Sequence, residues 1–195
     1  MTGKTTVVTP ARFAQGLSYK DFLAQAKVNV DQFDANYKSA QVSADDAAFF
    51  KKLAASGQVS KMLVLGEDWC PDVYRGMPMA VRIAEASGAE IRIFPRDKNL
   101  DIMNEFLNKG EFQSIPVIVF YSKDLKYVAH WIERPALAND ERAKITEQVK
   151  TELPNANEQE LRAENRKRTL PRYPAWQQAS IKELRQLLAG KAGKS

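Results

Sequence analysis

The sequence predicts an α/β fold: a central mixed β-sheet flanked by helices, with helical extensions at its N- and C-terminal ends. Three observations carry that expectation. Lys61–Gly66 (KMLVLG) is an apolar run of strand length, followed by a helical pattern that Pro71 opens. Residues 91–94 repeat the strand-then-helix order, and such alternation calls for a parallel portion of sheet. Residues 116–121 (PVIVFY) and 126–132 are separated by a short turn around Lys123-Asp124, the spacing of an antiparallel hairpin.

The remaining elements follow in order. Residues 19–37 read as one amphipathic helix, with Phe22, Leu23, Ala26, Val30 and Phe33 at three- and four-residue steps. Ser18 and Ser43 suit the N-caps of this helix and of the next, Ala44–Ala55, which Gly57 ends. The helix from Pro71 runs to about residue 86, with Val73, Met77, Val81 and Ile83 inward and Ser87-Gly88 as its stop. Pro78 lies inside it and is expected to bend it, because its ring clashes with the carbonyl of Tyr74. Residues 99–107 form a short helix ended by Asn108-Lys109-Gly110, and residues 138–153 form another. Beyond Pro154, residues 170–174 (LPRYP) read as an extended connector between two tail helices. The second of these carries Ile181, Leu184, Leu187 and Leu188 on one face. The expected organisation is an N-terminal helical extension over 1–44, a core domain over 45–153 and a basic helical extension over 154–195.

Composition narrows the function classes. The 195 residues are 44% hydrophobic and 27% charged, close to globular averages, which excludes a disordered or fibrous chain. One cysteine forbids an intrachain disulfide, and one histidine beside it leaves too few ligands for structural zinc. The apolar runs fall far short of the roughly 20 residues of a membrane span. Residues 1–10 (MTGKTTVVTP) lack the apolar stretch of a secretory signal, so a cytoplasmic protein without a membrane partner is expected. The net charge of +5 sits in residues 155–195, which hold nine basic residues against four glutamates. Arg166-Lys167-Arg168 could contact nucleic acid, but Glu158 and Glu164 stand four residues before Arg162 and Arg168. That spacing favours a solvated, self-paired helical face over a nucleic-acid partner.

The informative stretch is Val64-Leu65-Gly66-Glu67-Asp68-Trp69-Cys70-Pro71-Asp72-Val73. A buried strand ends, an acidic turn follows, and the lone cysteine lands where a helix begins. Unpaired amides and the helix dipole there favour a thiolate, the nucleophilic form. Glu67, Asp68 and Asp72 oppose it, so a modest lowering of the thiol pKa is expected. Trp69 offers an apolar face to an incoming peptide. A lone cysteine can equally be a small buried hydrophobe; its place between Trp69 and Pro71 favours a functional thiol.

Trp69-Cys70 after a strand, the helix opened by Pro71-Asp72, and Ser114-Ile115-Pro116-Val117 opening the next buried strand together resemble the thioredoxin-like superfamily. Over residues 45–153 the chain looks most like bacterial thioredoxin-family proteins with a Trp-Cys-Pro-Asp-Cys site, an acidic turn before it, and a Phe-Pro-Arg-Asp stretch, here Phe94-Pro95-Arg96-Asp97. The resemblance implies a thioredoxin-like fold, Cys70 as nucleophile, and a cis Ile115–Pro116 bond facing it. Trp69, Pro71, Asp72, Ile115 and Pro116 would then line the substrate groove, with the Ile115 backbone free to pair with an extended peptide or a glutathione backbone.

One departure limits the chemistry. Val73 stands where the family has its second cysteine, the group that resolves a mixed disulfide. The implied activity is therefore monothiol thiol–disulfide exchange, completed by glutathione as co-substrate or by a client's own thiol, with no resident cofactor and no metal. The alternative is a non-catalytic thioredoxin-fold module that binds a peptide or protein. A cluster bridged by two copies of Cys70 is a weaker idea, since Cys-Pro-Asp-Val is not the Cys-Gly-Phe-Ser of monothiol glutaredoxins. Arg75, Arg82 and Arg96 are candidates for an anionic partner, although each reads more readily as a surface residue. His130 reads as structural, and Glu67-Asp68 either selects basic clients or is simply solvated.

Overall fold

The computed structural model describes residues 7–192. The start of the 1–10 segment and Lys194 of the basic tail lie outside the described residues. Helices α1 (Pro10–Ala14), α2 (Tyr19–Gln25), α3 (Val30–Ser39) and α4 (Ala44–Ala55) precede the first strand. Then come β1 (Lys61–Gly66), α5 (Pro71–Ser87), β2 (Glu90–Pro95), a 3-10 turn over Arg96–Lys98, α6 (Leu100–Met103), β3 (Val117–Tyr121) and β4 (Tyr127–Ile132). Helices α7 (Ala136–Glu152), α8 (Glu158–Thr169) and α9 (Tyr173–Ala192) complete the described chain.

The strands form a mixed sheet in the order β2-β1-β3-β4. β1 runs parallel to β2 and antiparallel to β3, and β3 and β4 are the antiparallel hairpin. The two central strands are the continuous apolar runs of the sequence. Leu63, Val64, Leu65 and all of Val117–Tyr121 are fully buried, each large side chain contributing about 1.5–3 kcal/mol of transfer free energy. A strand covered on both faces needs no polar alternation. The thioredoxin-like α/β fold expected from the sequence is the one observed.

α5 is buried almost all round from Asp72 to Val81 because β1, α3, α4 and α9 all pack on it. It runs unbroken through Pro78 and ends at Gly88 in the left-handed region. Gly66 closes β1 against this helix: a Cβ there would lie 2.6 Å from Cγ1 of Val73 and 2.9 Å from Cε of Met77. Only glycine permits that approach.

Both terminal segments enter the same core as the sheet. Phe13, Phe22 and Phe33 join it from the N-terminal side, and Tyr173, Trp176, Ile181, Leu184 and Leu188 from α9. Leu17 exchanges two backbone hydrogen bonds with Ile93, at 2.8 and 2.9 Å, and so covers part of the edge strand β2. At the other edge, Trp131 of β4 donates its indole N–H to Glu183 of α9 at 2.9 Å. Buried Gln177 of α9 donates to the backbone carbonyls of Arg75 (3.0 Å) and Asn36 (3.2 Å).

Two expectations are corrected. Residues 19–37 are two helices, α2 and α3: α2 ends at Gln25 where Ala26 turns extended, and Asn29, left-handed at φ 61°, is the N-cap of α3. Residues 170–174 are helical: Pro171 sits in the 3-10 turn Leu170–Arg172, and Pro174 is in the first turn of α9. Proline is tolerated at both places because the amide it lacks has no intrahelical partner there.

Candidate functional site

Cys70 is the N-cap of α5, and its carbonyl accepts the amides of Val73 (3.0 Å) and Tyr74 (3.1 Å). The side chain makes no capping hydrogen bond and is partly exposed. Its Sγ donates a weak hydrogen bond, 3.8 Å long, to the carbonyl oxygen of Ile115. The Ile115–Pro116 bond is cis. The strand end, the helix start and the loop entering β3 therefore converge at the sulfur. Gly76, one and a half turns into α5, lets the helix approach the proline: a Cβ there would lie 3.1 Å from Cγ of Pro116. Glu133, past β4 and left-handed at φ 68°, donates its amide to the Pro116 carbonyl at 2.7 Å and so props the loop from behind.

The thiol differs from expectation in its electrostatics. Burial pushes the Cys70 thiol above its ordinary pKa, and the nearby Asp72 carboxylate adds to that rise. The amides of Val73 and Asp72 and the Arg134 guanidinium pull the other way and do not offset it. The expected lowering fails because desolvation at this half-covered site outweighs the helix terminus. A thiol donating to the Ile115 carbonyl also favours the protonated form.

Val73, in the resolving position, is fully buried against Gly66. Trp69 is half-exposed and carries the Arg96 guanidinium 5.5 Å from its ring centre. Arg96 also donates to the carbonyl of Gln113 at 3.2 Å, bridging Trp69 to the loop that leads into Ile115–Pro116. Phe112, on that loop, is likewise half-exposed. Trp69, next to Cys70 in the chain, thus offers apolar surface beside the sulfur.

The acidic turn is committed to the fold. Asp68 Oδ2 accepts the amides of Lys27 (2.6 Å) and Val28 (3.3 Å), and the Asp68 carbonyl accepts from the Asn29 side chain at 2.9 Å. Glu67 accepts the amide of Asp97 at 2.7 Å. These bonds hold the N-terminal helices and the start of the 3-10 turn beside the site, so the turn is not simply solvated.

Asp72 is the centre of a cluster that sequence reasoning missed. Pro71 beside it is exposed, whereas Asp72 is buried and pairs with Arg75 (2.8 Å), Arg134 (2.9 Å) and Arg142 (3.0 Å). Arg75 is 1% exposed, so it is no surface residue; its guanidinium lies over the Trp176 ring at 5.5 Å. Arg82 is spent elsewhere, on Glu85 (3.1 Å) and the Tyr37 ring (5.1 Å). His130 sits against Phe106 and shares a 2.6 Å hydrogen bond with the Tyr127 hydroxyl, in a structural setting. The missed residues, Arg134 and Arg142, reach Asp72 from beyond β4 and from α7, and nothing in their local sequence marks them.

A thioredoxin family model, Thioredoxin_9, matches residues 16–150. The chain belongs to this thioredoxin-like family. The match reaches into the N-terminal helices that pack beside the acidic turn. Among solved structures, a protein of unknown function from Pseudomonas aeruginosa is similar at 14% identity and a TM-score of 0.63, over 94% of this chain and 98% of that one. An HIV epitope-scaffold protein is similar at 14% identity and a TM-score of 0.64, over 94% of this chain and 99% of that one. A search of curated proteins finds no match. The two structural likenesses concern the fold alone, so the chemistry rests on the residues of this Thioredoxin_9 protein. No helix among the described residues is long and apolar enough to cross a membrane.

Proposed function

We propose that this protein carries out monothiol thiol–disulfide exchange through Cys70. The observation that supports it most directly is the partly exposed sulfur at the start of α5, 3.8 Å from the Ile115 carbonyl beside the cis-proline. In the proposed cycle the Cys70 thiolate attacks one sulfur of a client disulfide. A bond forms between Cys70 and that sulfur, and the other client sulfur leaves as a thiolate. An external thiolate, such as glutathione, then attacks the client sulfur of the mixed disulfide and releases Cys70. Val73 cannot take part in that second step. Backbone groups of Ile115 would align the client as an added strand, and Trp69 would cover its flanking side chains.

The raised thiol pKa favours a second reading, in which the groove binds an extended peptide without turnover. A glutathione-coupled disulfide reduction assay separates the two. The exchange reading expects activity that Cys70→Ser abolishes; equal rates for the two proteins leave only the binding module. The single thiol fits a reducing, cytoplasmic setting.

A further inference from the structure

We propose that the cavity walled by the start of α5 and by α7, α8 and α9 binds a small organic anion, gripped through a carboxylate or phosphate by Arg142 and Arg166. It encloses about 620 Å³, a volume ordinary for small-molecule sites and more than a bare inorganic ion fills. Its wall carries three guanidiniums, Arg142, Arg162 and Arg166, against one carboxylate, Asp72; Tyr173 and Trp176 add aromatic surface.

The charge pairing around it is the argument. Elsewhere in the tail the arginines have carboxylates of their own: Arg168 lies between Glu152 (2.6 Å) and Glu164 (2.8 Å), Arg185 on Asp46 (2.7 Å), and Arg172 on Glu141. The cavity breaks that pattern. Arg166 donates to the Tyr74 hydroxyl at 3.1 Å and forms no ion pair among the described residues. Arg142 shares Asp72 with both Arg75 and Arg134. Arg162 has only Glu158, and both side chains are open to solvent, where such a pair contributes little. Arg75, in contact with the wall residues Asp72 and Trp176, is buried with Nε and Nη1 lacking any hydrogen-bond partner, an unusual state for a buried guanidinium. Glu133 also pairs with Arg134, so two carboxylates, Asp72 and Glu133, face the three guanidiniums of Arg75, Arg134 and Arg142 in a partly dry setting. With Arg166 beside them outside any ion pair among the described residues, a bound anion offsets the remaining excess. Guanidiniums pair with carboxylates and phosphates through two parallel hydrogen bonds, which suits them to this task. Nothing in the argument requires the Cys70 sulfur, so the site stands or falls apart from the exchange reading.

Calorimetric titration of the full chain with citrate, and separately with adenosine monophosphate, tests it. The expected result is saturable one-site binding of at least one probe, weakening as salt is raised, and the preferred probe identifies the carboxylate or phosphate source. Arg142→Gln and Arg166→Gln should each weaken binding about tenfold, while Lys167→Gln, outside the cavity lining, and Cys70→Ser should bind as the parent does. Thermal unfolding without ligand checks that each variant is folded; should Arg142→Gln fail, Arg166→Gln decides, since it breaks no ion pair among the described residues and gives up its contacts with the Tyr74 hydroxyl and ring. Absence of saturable binding of either probe, or unchanged binding in Arg166→Gln, overturns the proposal.

Discussion

Asp68 accepts the backbone amide of Lys27 at 2.6 Å, across 41 residues of chain. The same carboxylate takes the Val28 amide, and the Asp68 carbonyl takes the Asn29 side chain. The residue two places before the candidate nucleophile therefore anchors the linker between α2 and α3 beside the site. Asp68→Ala should cost ~1–3 kcal/mol, the range for charge-assisted bonds to partly covered amides. Urea unfolding measures the cost, and hydrogen exchange should show loss of protection at Lys27 and Val28. An unchanged exchange pattern would mean that the linker is held without Asp68.

Gly66 and Val73 are coupled by close packing. Gly66→Ala places a methyl 2.6 Å from Val73 Cγ1, an overpacking that should destabilise by ~1–3 kcal/mol. Pairing it with Val73→Ala makes room for that methyl. The double variant should therefore lose less stability than the two single losses added together, and strict additivity in urea unfolding would contradict this contact.

The thiol should react as one raised above the ordinary value of about 8.5. Alkylation of Cys70 by iodoacetamide is expected to be slow at neutral pH and to climb roughly tenfold per unit as the thiolate fraction grows. Arg134→Gln removes a charge that stabilises the thiolate, so its profile should move to still higher pH. The stability consequence has a definite sign. A thiol whose folded pKa is raised contributes fully below the ordinary thiol range, and that contribution is lost as pH rises through the raised value. Cys70→Ser should therefore flatten the alkaline loss of stability; a thiol that alkylates with a depleted, acidic midpoint would refute the account of burial given above.

What was legible in the sequence were the features set by local chemistry. Lys61–Gly66 reads as a buried strand because its apolar run is too short for a helix, and Pro71 marks the helix start because proline suits that position. The Ser43 hydroxyl caps α4 by accepting the amide of Asp46, three residues on, at 3.1 Å. What was not legible depends on distant partners. The linker between α2 and α3 is held by Asp68, far along the chain, and the helical course of residues 170–174 runs against two prolines whose positions happen to need no amide. The place of Cys70 at the start of α5 is set locally, but its raised pKa is not, because the burial that causes it comes from the fold and lies outside any local window. Arg75 was read as a surface residue for the same reason: only the fold sets Trp176 and Asp72 around it.

The most direct measurement of the central claim is mass spectrometry of the native, reduced protein after incubation with glutathione disulfide at mildly alkaline pH. Cys70 should accumulate as a single glutathione adduct, because no second thiol in the chain can resolve it, and excess reduced glutathione should clear it. Val73→Cys should instead pass to an intramolecular disulfide without the adduct building up. A native protein that forms no adduct, while the urea-unfolded chain does, would contradict the claim that Cys70 is an exchange nucleophile.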